Sequence, residues 1–394
     1  MAGIVSLLSR LRKLNNPPEV PAKQPNALRF GILGAARIAP AALIVPAASH
    51  ADVIVTAVAS RDQVKASAYA KKHNIPTVYY GTECYQQLLD DLNVDAIYNP
   101  LPNSLHYEWT VKALNAGKHV LVEKPIADTS AEAQQMIDLA TQKGLVLLEA
   151  IHWTFHPASQ RVKELIDSGE LGKLKSIKAD FALPKIPHGI VFLEDDVRFE
   201  YDLGGGVTMD MGVYPLSAVR YFSSSDLAKV ESASAIGHER DPARIDRAMS
   251  AHLVLQSSVE ADVFFDFGMP GWGPFHLLPR MVKGSVYIEL EGGTIDYFNF
   301  ALPTVYHSIT VKPIGKKARI EKVYQFKEGP GKEWWSTYRY QLEAFVDKVR
   351  GRTPQTWSAP DEPIKQMQWV ESLYAAAEMP ARPASTYYAT HAHA

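Results

Sequence analysis

From Leu28 to about residue 150, short and wholly apolar runs alternate with stretches whose apolar residues recur at helical spacing. Leu28–Leu33, Val53–Ala59, Thr77–Tyr79, Ala96–Asn99, His119–Val122 and Leu145–Leu148 read as buried strands. Between them Ala36–Ala48, Gln63–His73, Glu83–Asp90, Ser104–Ala116 and Ser130–Lys143 read as helices. Strands that are apolar on both faces and joined by helices imply a parallel sheet covered on both sides. That is the doubly wound architecture that binds nucleotides.

After residue 150 the rhythm changes. A helix at Ser159–Ser168 is followed by a strand at Leu174–Phe181, a glycine-rich turn and a helix near Thr208–Phe222. Alternating segments then succeed one another without helices: Met249–Gln256, Val259–Phe267, Ser285–Leu290, Thr294–Phe298 and Tyr306–Val311. Consecutive strands of this kind suggest a large open, mostly antiparallel sheet in an α+β domain. Helices at Trp335–Val349 and Pro363–Glu378 close the pattern. The expected organisation is an arm (1–26), a doubly wound α/β domain (27–150), an α+β domain (151–380) and a tail (381–394). The tail from Thr386 reads as disordered, and its His391 and His393 are too isolated to make a metal site.

A length of 394 residues suits two domains. With 46% hydrophobic and 21% charged residues the chain is ordinary globular protein rather than a disordered or fibrous one. A net charge of −2 with no basic stripe argues against nucleic acid as a partner. The single cysteine, Cys84, excludes an intramolecular disulfide and a cysteine-based metal cluster, and it fits a reducing, cytoplasmic setting. Placed in a helix, it reads as a buried thiol rather than a nucleophile. In the arm, an apolar run precedes Arg10, Arg12 and Lys13, the reverse of a secretory signal. No run approaches the roughly twenty apolar residues of a membrane span. The arm therefore reads as a short amphipathic segment that packs on a neighbouring subunit or frays, with a weak mitochondrial presequence as the alternative.

The first chemical signal follows the first strand. Gly31-Ile-Leu-Gly34-Ala35-Ala36-Arg37-Ile38-Ala39 matches a dinucleotide fingerprint as Gly34-x-Ala36-x-x-Ala39, with alanine at the middle position. Small residues there let the backbone approach a pyrophosphate at a helix N-terminus. The second strand runs into Ser60-Arg61-Asp62, where an NAD site would carry an acidic residue for the ribose hydroxyl. A hydroxyl and a guanidinium at this point suit a 2′-phosphate, with Arg37 as a second positive group, so NADP is expected, with NAD also possible. The structural alternative makes Arg61 a solvated residue and Asp62 a helix cap.

A second signal lies at the ends of the fourth and fifth strands, which line the ligand crevice of such a sheet. Pro100, Asn103 and His106 come from Asn99-Pro-Leu-Pro-Asn-Ser-Leu-His106; Glu123 and Lys124 come from Val122-Glu-Lys-Pro125. A lysine at a buried strand end needs a partner, since an unpaired ammonium there is costly. A salt bridge to Glu123 is its structural alternative. The third signal is Gly204-Gly-Gly-Val-Thr-Met-Asp210-Met-Gly-Val-Tyr214, where Asp210 and Tyr214 stand one helical turn apart. A nearby Lys124 ammonium is expected to lower the Tyr214 phenol from its ordinary pKa and make it a general base.

In this order, GILGAARIA, PLPNSLH, VEKP, EAIHWTFHP and GGGVTMDMGVYPL resemble the Gfo/Idh/MocA oxidoreductase family over roughly residues 27 to 380. The resemblance implies a Rossmann domain, a second domain whose open sheet forms a homodimer or homotetramer interface, and a catalytic lysine at Lys124. Asp210 and Tyr214 place the chain nearer the family's sugar 1-dehydrogenase, glucose–fructose oxidoreductase and dihydrodiol dehydrogenase members than its inositol dehydrogenases. The expected activity is NADP-dependent oxidation of an aldose at C1, D-xylose first, to a lactone. Its alternatives are a trans-dihydrodiol dehydrogenase or dicarbonyl-sugar reductase, and a non-catalytic NADP-binding sensor. Glu149, His152, Trp153, His156 and Arg198 are candidate pocket residues, and Trp272 offers a stacking face for a pyranose. Arg198 has Asp195 and Asp196 as alternative partners. Thr154 stands where sugar-dehydrogenase relatives often carry Arg.

Overall fold

The computed structural model describes residues 2–185, 196–273, 278 and 280–391. Six strands form the first sheet: β1 (Leu28–Leu33), β2 (Val53–Ser60), β3 (Thr77–Tyr80), β4 (Ala96–Asn99), β5 (His119–Val122) and β6 (Leu147–Glu149). They pair in parallel in the order β3-β2-β1-β4-β5-β6. The strand order reverses between β1 and β4, which opens a crevice at their carboxyl ends, where a dinucleotide binds in such sheets. Most residues of β1, β4 and β5 are buried, as strands covered on both faces must be.

The helix after β1 differs from its expected form. The chain leaves the strand through Gly34 and does not become helical until a π-helical turn, Pro40–Ile44, that runs into the short α2 (Val45–Ala48). Pro40 opens that turn, a position where its missing N–H costs nothing. The other crossover helices are α3 (Gln63–His73), α4 (Cys84–Asp90), α5 (His106–Asn115) and α6 (Ser130–Lys143). Asp62 caps α3 by accepting from the Lys65 amide at 3.0 Å, and Thr129 with Glu132 forms a capping box on α6. Cys84 is fully buried.

After α7 (Pro157–Asp167) come eight strands: β7 (Leu174–Pro184), β8 (Leu227–His238), β9 (Asp241–Leu255), β10 (Glu260–Met269), β11 (Lys283–Leu290), β12 (Gly293–Phe298), β13 (Ser308–Pro313) and β14 (Arg319–Glu321). Their order is β14-β13-β12-β11-β7-β10-β9-β8, antiparallel except for the central β7–β10 pair. Alternating burial along β11, β12 and β13 marks a sheet with one packed face. α8 (Val213–Ser223) lies on that face, and α9 (Thr337–Val349) and α10 (Glu362–Ala376) follow. Strand β8 escapes the sequence pattern because few of its residues are buried: it is an edge strand of mixed polarity.

Both ends of the chain are helical, which corrects the reading of the tail as disordered. The arm forms α1 (Ala2–Asn15), whose Arg10 guanidinium stacks 4.0 Å over the Tyr324 ring of the same chain. The tail is helical over α11 (Thr386–His391), with Tyr387 and Tyr388 packed on Tyr107 of α5. His393 lies outside the described residues. Aromatic ring packing outweighs the weak local propensity there.

One buried ion pair ties the second sheet to the glycine turn. Arg382 and Asp246 have no solvent exposure and bond at 2.8 Å. Tyr374 also donates to Asp246 at 3.0 Å, and the other carboxylate oxygen accepts from the Thr208 amide at 2.8 Å. Gly206 (φ 117°) runs so close that a Cβ would sit 2.2 Å from Asp246 Oδ1. Only glycine fits. Replacing Arg382 with methionine leaves the carboxylate buried without its cation, and is expected to lower unfolding stability by about 3–5 kcal/mol in urea titrations. A loss below about 1 kcal/mol, the scale of an exposed pair, would show that the pair does not hold the turn.

Candidate active site

A cleft of about 680 Å³ opens where the carboxyl ends of the parallel strands meet the glycine turn. Its floor is the turn after β1. Gly34 (φ 82°) bends the chain, and the amides of Ala35, Ala36, Arg37 and Ile38 find no acceptor among the described residues. Four orphaned donors beside a helix start are what a pyrophosphate requires. Ala36, Arg37 and Ile38 line the cleft, and both Arg37 and Arg61 are exposed. Ser60, at the end of β2, is buried. The amides and Arg37 thus fit a dinucleotide with a phosphorylated ribose, while Ser60 and Arg61 do not line the cleft.

The next strand ends supply one wall. Pro100, Asn103, His106, Glu123 and Lys124 all line the cleft. Asn103 donates to the Gly204 carbonyl at 2.8 Å and so joins this wall to the glycine turn. His106 is fully buried, with its ring nitrogens 2.8 Å from the Pro125 and Leu101 carbonyls. It holds the two strand-end loops in place. Burial, against those carbonyls, pushes its pKa down to about 4.

The alternative partner for Lys124 is not used. Tyr98 donates to Glu123 at 2.6 Å, whereas Lys124 reaches across to Asp210. Its ammonium gives one hydrogen bond to Asp210 Oδ1 at 2.5 Å and another to the Asp210 carbonyl at 2.7 Å. Asp210 lies in a π-helical turn, Thr208–Gly212, that leads into α8. Its second oxygen accepts from Arg198 Nε at 2.8 Å, and Arg198 also bonds Asp196 at 2.9 Å. Asp195, the other candidate partner of Arg198, is outside the described residues. Burial pushes the Asp210 carboxyl up, but the Arg198 and Lys124 charges outweigh it and hold it well below the usual carboxylate range.

Tyr214 follows one turn later, with Lys124 Nζ 5.4 Å from its ring centre. The expected lowering of its pKa does not occur. Burial, with the Glu123 and Asp210 carboxylates, pushes the phenol well above its ordinary value, and only Arg198 opposes this. The Lys124 charge is spent on Asp210. Tyr214 Oη instead lies 3.0 Å from His152 Nε2, and His152 stacks 4.1 Å from the Tyr338 ring.

Several candidate pocket residues lie elsewhere. Trp153 is a core residue, fully buried against Tyr221, Phe222 and Phe300 with its indole N–H on Ser217. His156 caps α7. Trp272 is 56% exposed beyond β10 and does not line the cleft; Phe275, from the same stretch, is outside the described residues. Glu149 accepts from the Ile126 amide at 2.9 Å and, with Thr154, faces a separate cavity of about 550 Å³. Its carboxyl is pushed up to about 7 by burial. Sequence reasoning missed Phe181, Leu183, Met211 and Tyr338, which complete the cleft wall. Phe181 and Leu183 carry only the strand alternation of β7, and Tyr338 carries no signal beyond its place in a helix. Among the described residues no helix is long and apolar enough to cross a membrane, and no three His, Cys, Asp or Glu residues are grouped to hold a metal ion.

Residues 28–151 match the model of an oxidoreductase family with an NAD-binding Rossmann fold, Gfo/Idh/MocA. Residues 159–281 match the model of the C-terminal domain of the same family. A dTDP-3,4-didehydro-2,6-dideoxy-alpha-D-glucose 3-reductase from Saccharopolyspora spinosa is 31% identical over 82% of each chain. A D-xylose 1-dehydrogenase (NADP(+)) from Haloferax volcanii is 32% identical over 89% of this chain and 98% of its own. A 3-ketoreductase from Actinomadura kijaniata, solved with NADP and TDP-benzene, superposes with a TM-score of 0.74 and 26% identity over 89% of this chain and 98% of that one. With both halves matched and relatives spanning most of its length, the chain belongs to the Gfo/Idh/MocA family of oxidoreductases.

Proposed function

We propose that the chain is an NADP(H)-dependent sugar oxidoreductase that reduces a carbonyl on a sugar ring, with Lys124 and Tyr214 as the catalytic residues and Asp210 as the residue that positions Lys124. The observation that carries this reading is the clamp of Asp210 on Lys124 beside a protonated Tyr214. NADP(H) supplies the hydride in reduction and accepts it in the reverse direction. An ammonium has three N–H donors, and Asp210 takes two from Lys124. The third is left to hold the reacting oxygen and stabilise charge that develops on it. The Tyr214 hydroxyl, raised above its ordinary pKa, is a donor at neutral pH and gives its proton to that oxygen. Arg198 and the glycine turn supply polar contacts to the remaining sugar hydroxyls. Ser60, Arg61 and Arg37 select the 2′-phosphate.

The reductase direction agrees with the names of the dTDP-sugar 3-reductase relatives. A second reading, oxidation of D-xylose at C1, is favoured by the Haloferax volcanii relative, which this chain matches over nearly its whole length. It needs Tyr214 to lose its proton first, so its rate should climb with pH. The two readings separate on a substrate panel of keto-sugars with NADPH and aldoses with NADP. Turnover with neither, despite tight NADP binding, would favour a sensor.

Lys124→Ala and Tyr214→Phe should each lower kcat by about 100-fold or more, with NADP affinity within a few-fold of the parent. NADPH absorbance and fluorescence titration measure the two quantities, and retained turnover in either variant sinks the assignment. Arg61→Ala should cut the preference for NADP over NAD by roughly 10- to 100-fold, the worth of a charge-assisted bond to phosphate. An unchanged ratio of kcat/KM for the two cofactors would remove Arg61 from the 2′-phosphate site.

A further inference from the structure

His152 is 1% exposed and does not line the cleft; it sits behind Tyr214. Its Nε2 meets Tyr214 Oη at 3.0 Å, and its Nδ1 is buried with no partner among the described residues. The ring is fixed from the other side by Tyr338 at 4.1 Å. Burial, and then the Lys124 charge, push its pKa down to about 3, so the imidazole is neutral and carries one N–H.

Where that N–H sits decides the direction of the hydrogen bond. On Nδ1 it would be a buried donor with no acceptor, a rare defect. On Nε2 it donates to the Tyr214 oxygen, and the only unmet group is a lone pair on Nδ1. The second tautomer is favoured. It makes Tyr214 Oη an acceptor from behind, so the hydroxyl proton is free to point elsewhere, and the cleft with Lys124 lies on that side.

We propose that His152 is a positioning residue for hydride transfer: its Nε2–H donates to Tyr214 Oη and aims the Tyr214 proton at the reacting oxygen. The proposal rests on the carbonyl-reductase reading. In reduction, a hydride from NADPH forms the new C–H bond and the carbonyl π bond breaks. The Tyr214 proton forms the new O–H bond. The phenolate that remains keeps the His152 N–H and is reprotonated from solvent. The titratable or charged groups around that phenol are Glu123 and Lys124 after β5, Arg198 before the glycine turn, Asp210 one turn earlier, His152 and Tyr338. Among them His152 is the one bonded to the phenol oxygen.

His152→Phe keeps a ring against Tyr338 and removes the donor. It should lower kcat for reduction about tenfold, with KM and NADP affinity little changed. An N–H donor favours the phenolate, so its loss should also move the alkaline rise of the reverse, oxidative rate to higher pH. His152→Gln, which returns an N–H, should restore both. His152→Met lacks the donor as well and serves if the phenylalanine variant does not fold. In a Tyr214→Phe background, His152→Phe should cost nothing further. An equal loss in that background, an unmoved pH profile, or unchanged kcat each overturns the proposal. Full turnover in Tyr214→Phe alone would overturn the functional reading and this proposal together; a large loss there with a silent His152→Phe overturns this proposal alone.

Discussion

A carboxylate that must serve two cations at once organises this molecule. Asp210 bonds Lys124 from the parallel sheet and Arg198 from the segment before the glycine turn. A partly buried carboxylate with one cation would face a desolvation cost close to its Coulombic gain; with two, it stays ionised. Lys124 and Asp210 are 86 residues apart in the chain, so this pair also sets how the strand-end wall meets the second sheet. Asn103, bonded to Gly204, closes the same joint.

The clamp depends on a turn that is itself held rigidly. Asp246 and Arg382 are buried in an environment where an ion pair survives only if every lone pair is met. Tyr374 and Thr208 meet those of Asp246, while the Gly205 carbonyl and Tyr374 Oη accept from the Arg382 N–H groups. Thr208 starts the π-helical turn that carries Asp210, so a fully buried pair fixes a half-buried one. π-helical turns recur at functional sites because the extra residue redirects side chains. Here one, Thr208–Gly212, carries the cleft residues Asp210 and Met211, and another, Pro40–Ile44, follows the turn after β1.

Charge and neutrality are divided sharply across the site. Lys124, Asp210 and Arg198 form an ionic group in the cleft wall, while Tyr214 and Tyr338 beside it, and His152 behind them, are kept neutral by burial. A neutral imidazole has one donor and one acceptor, so its tautomer, rather than its charge, orients the phenol. An ionic group beside a neutral one lets a proton be held at Tyr214 and charge be stabilised at Lys124 without the two roles competing.

The doubly wound sheet was legible in the sequence because strands buried on both faces read as continuous apolar runs, with helix periods between them. Lys124, Asp210 and Tyr214 were legible as a group because strand ends and glycine turns are where a backbone can approach a ligand. Other features were decided only in three dimensions. Which carboxylate Lys124 pairs with depends on Tyr98 having taken Glu123. The rise of the Tyr214 pKa depends on burial and on a lysine charge already neutralised. Trp153 reads in sequence as a pocket residue and Trp272 as a stacking face, but one is core and the other lies outside the cleft. His152 reads in sequence as a pocket residue, and in space it is the phenol's partner behind the cleft. Local pattern determines which segments are strand, turn or helix, because that is settled within a few residues; pairing and protonation depend on groups brought together from distant parts of the chain, and so belong to the tertiary structure.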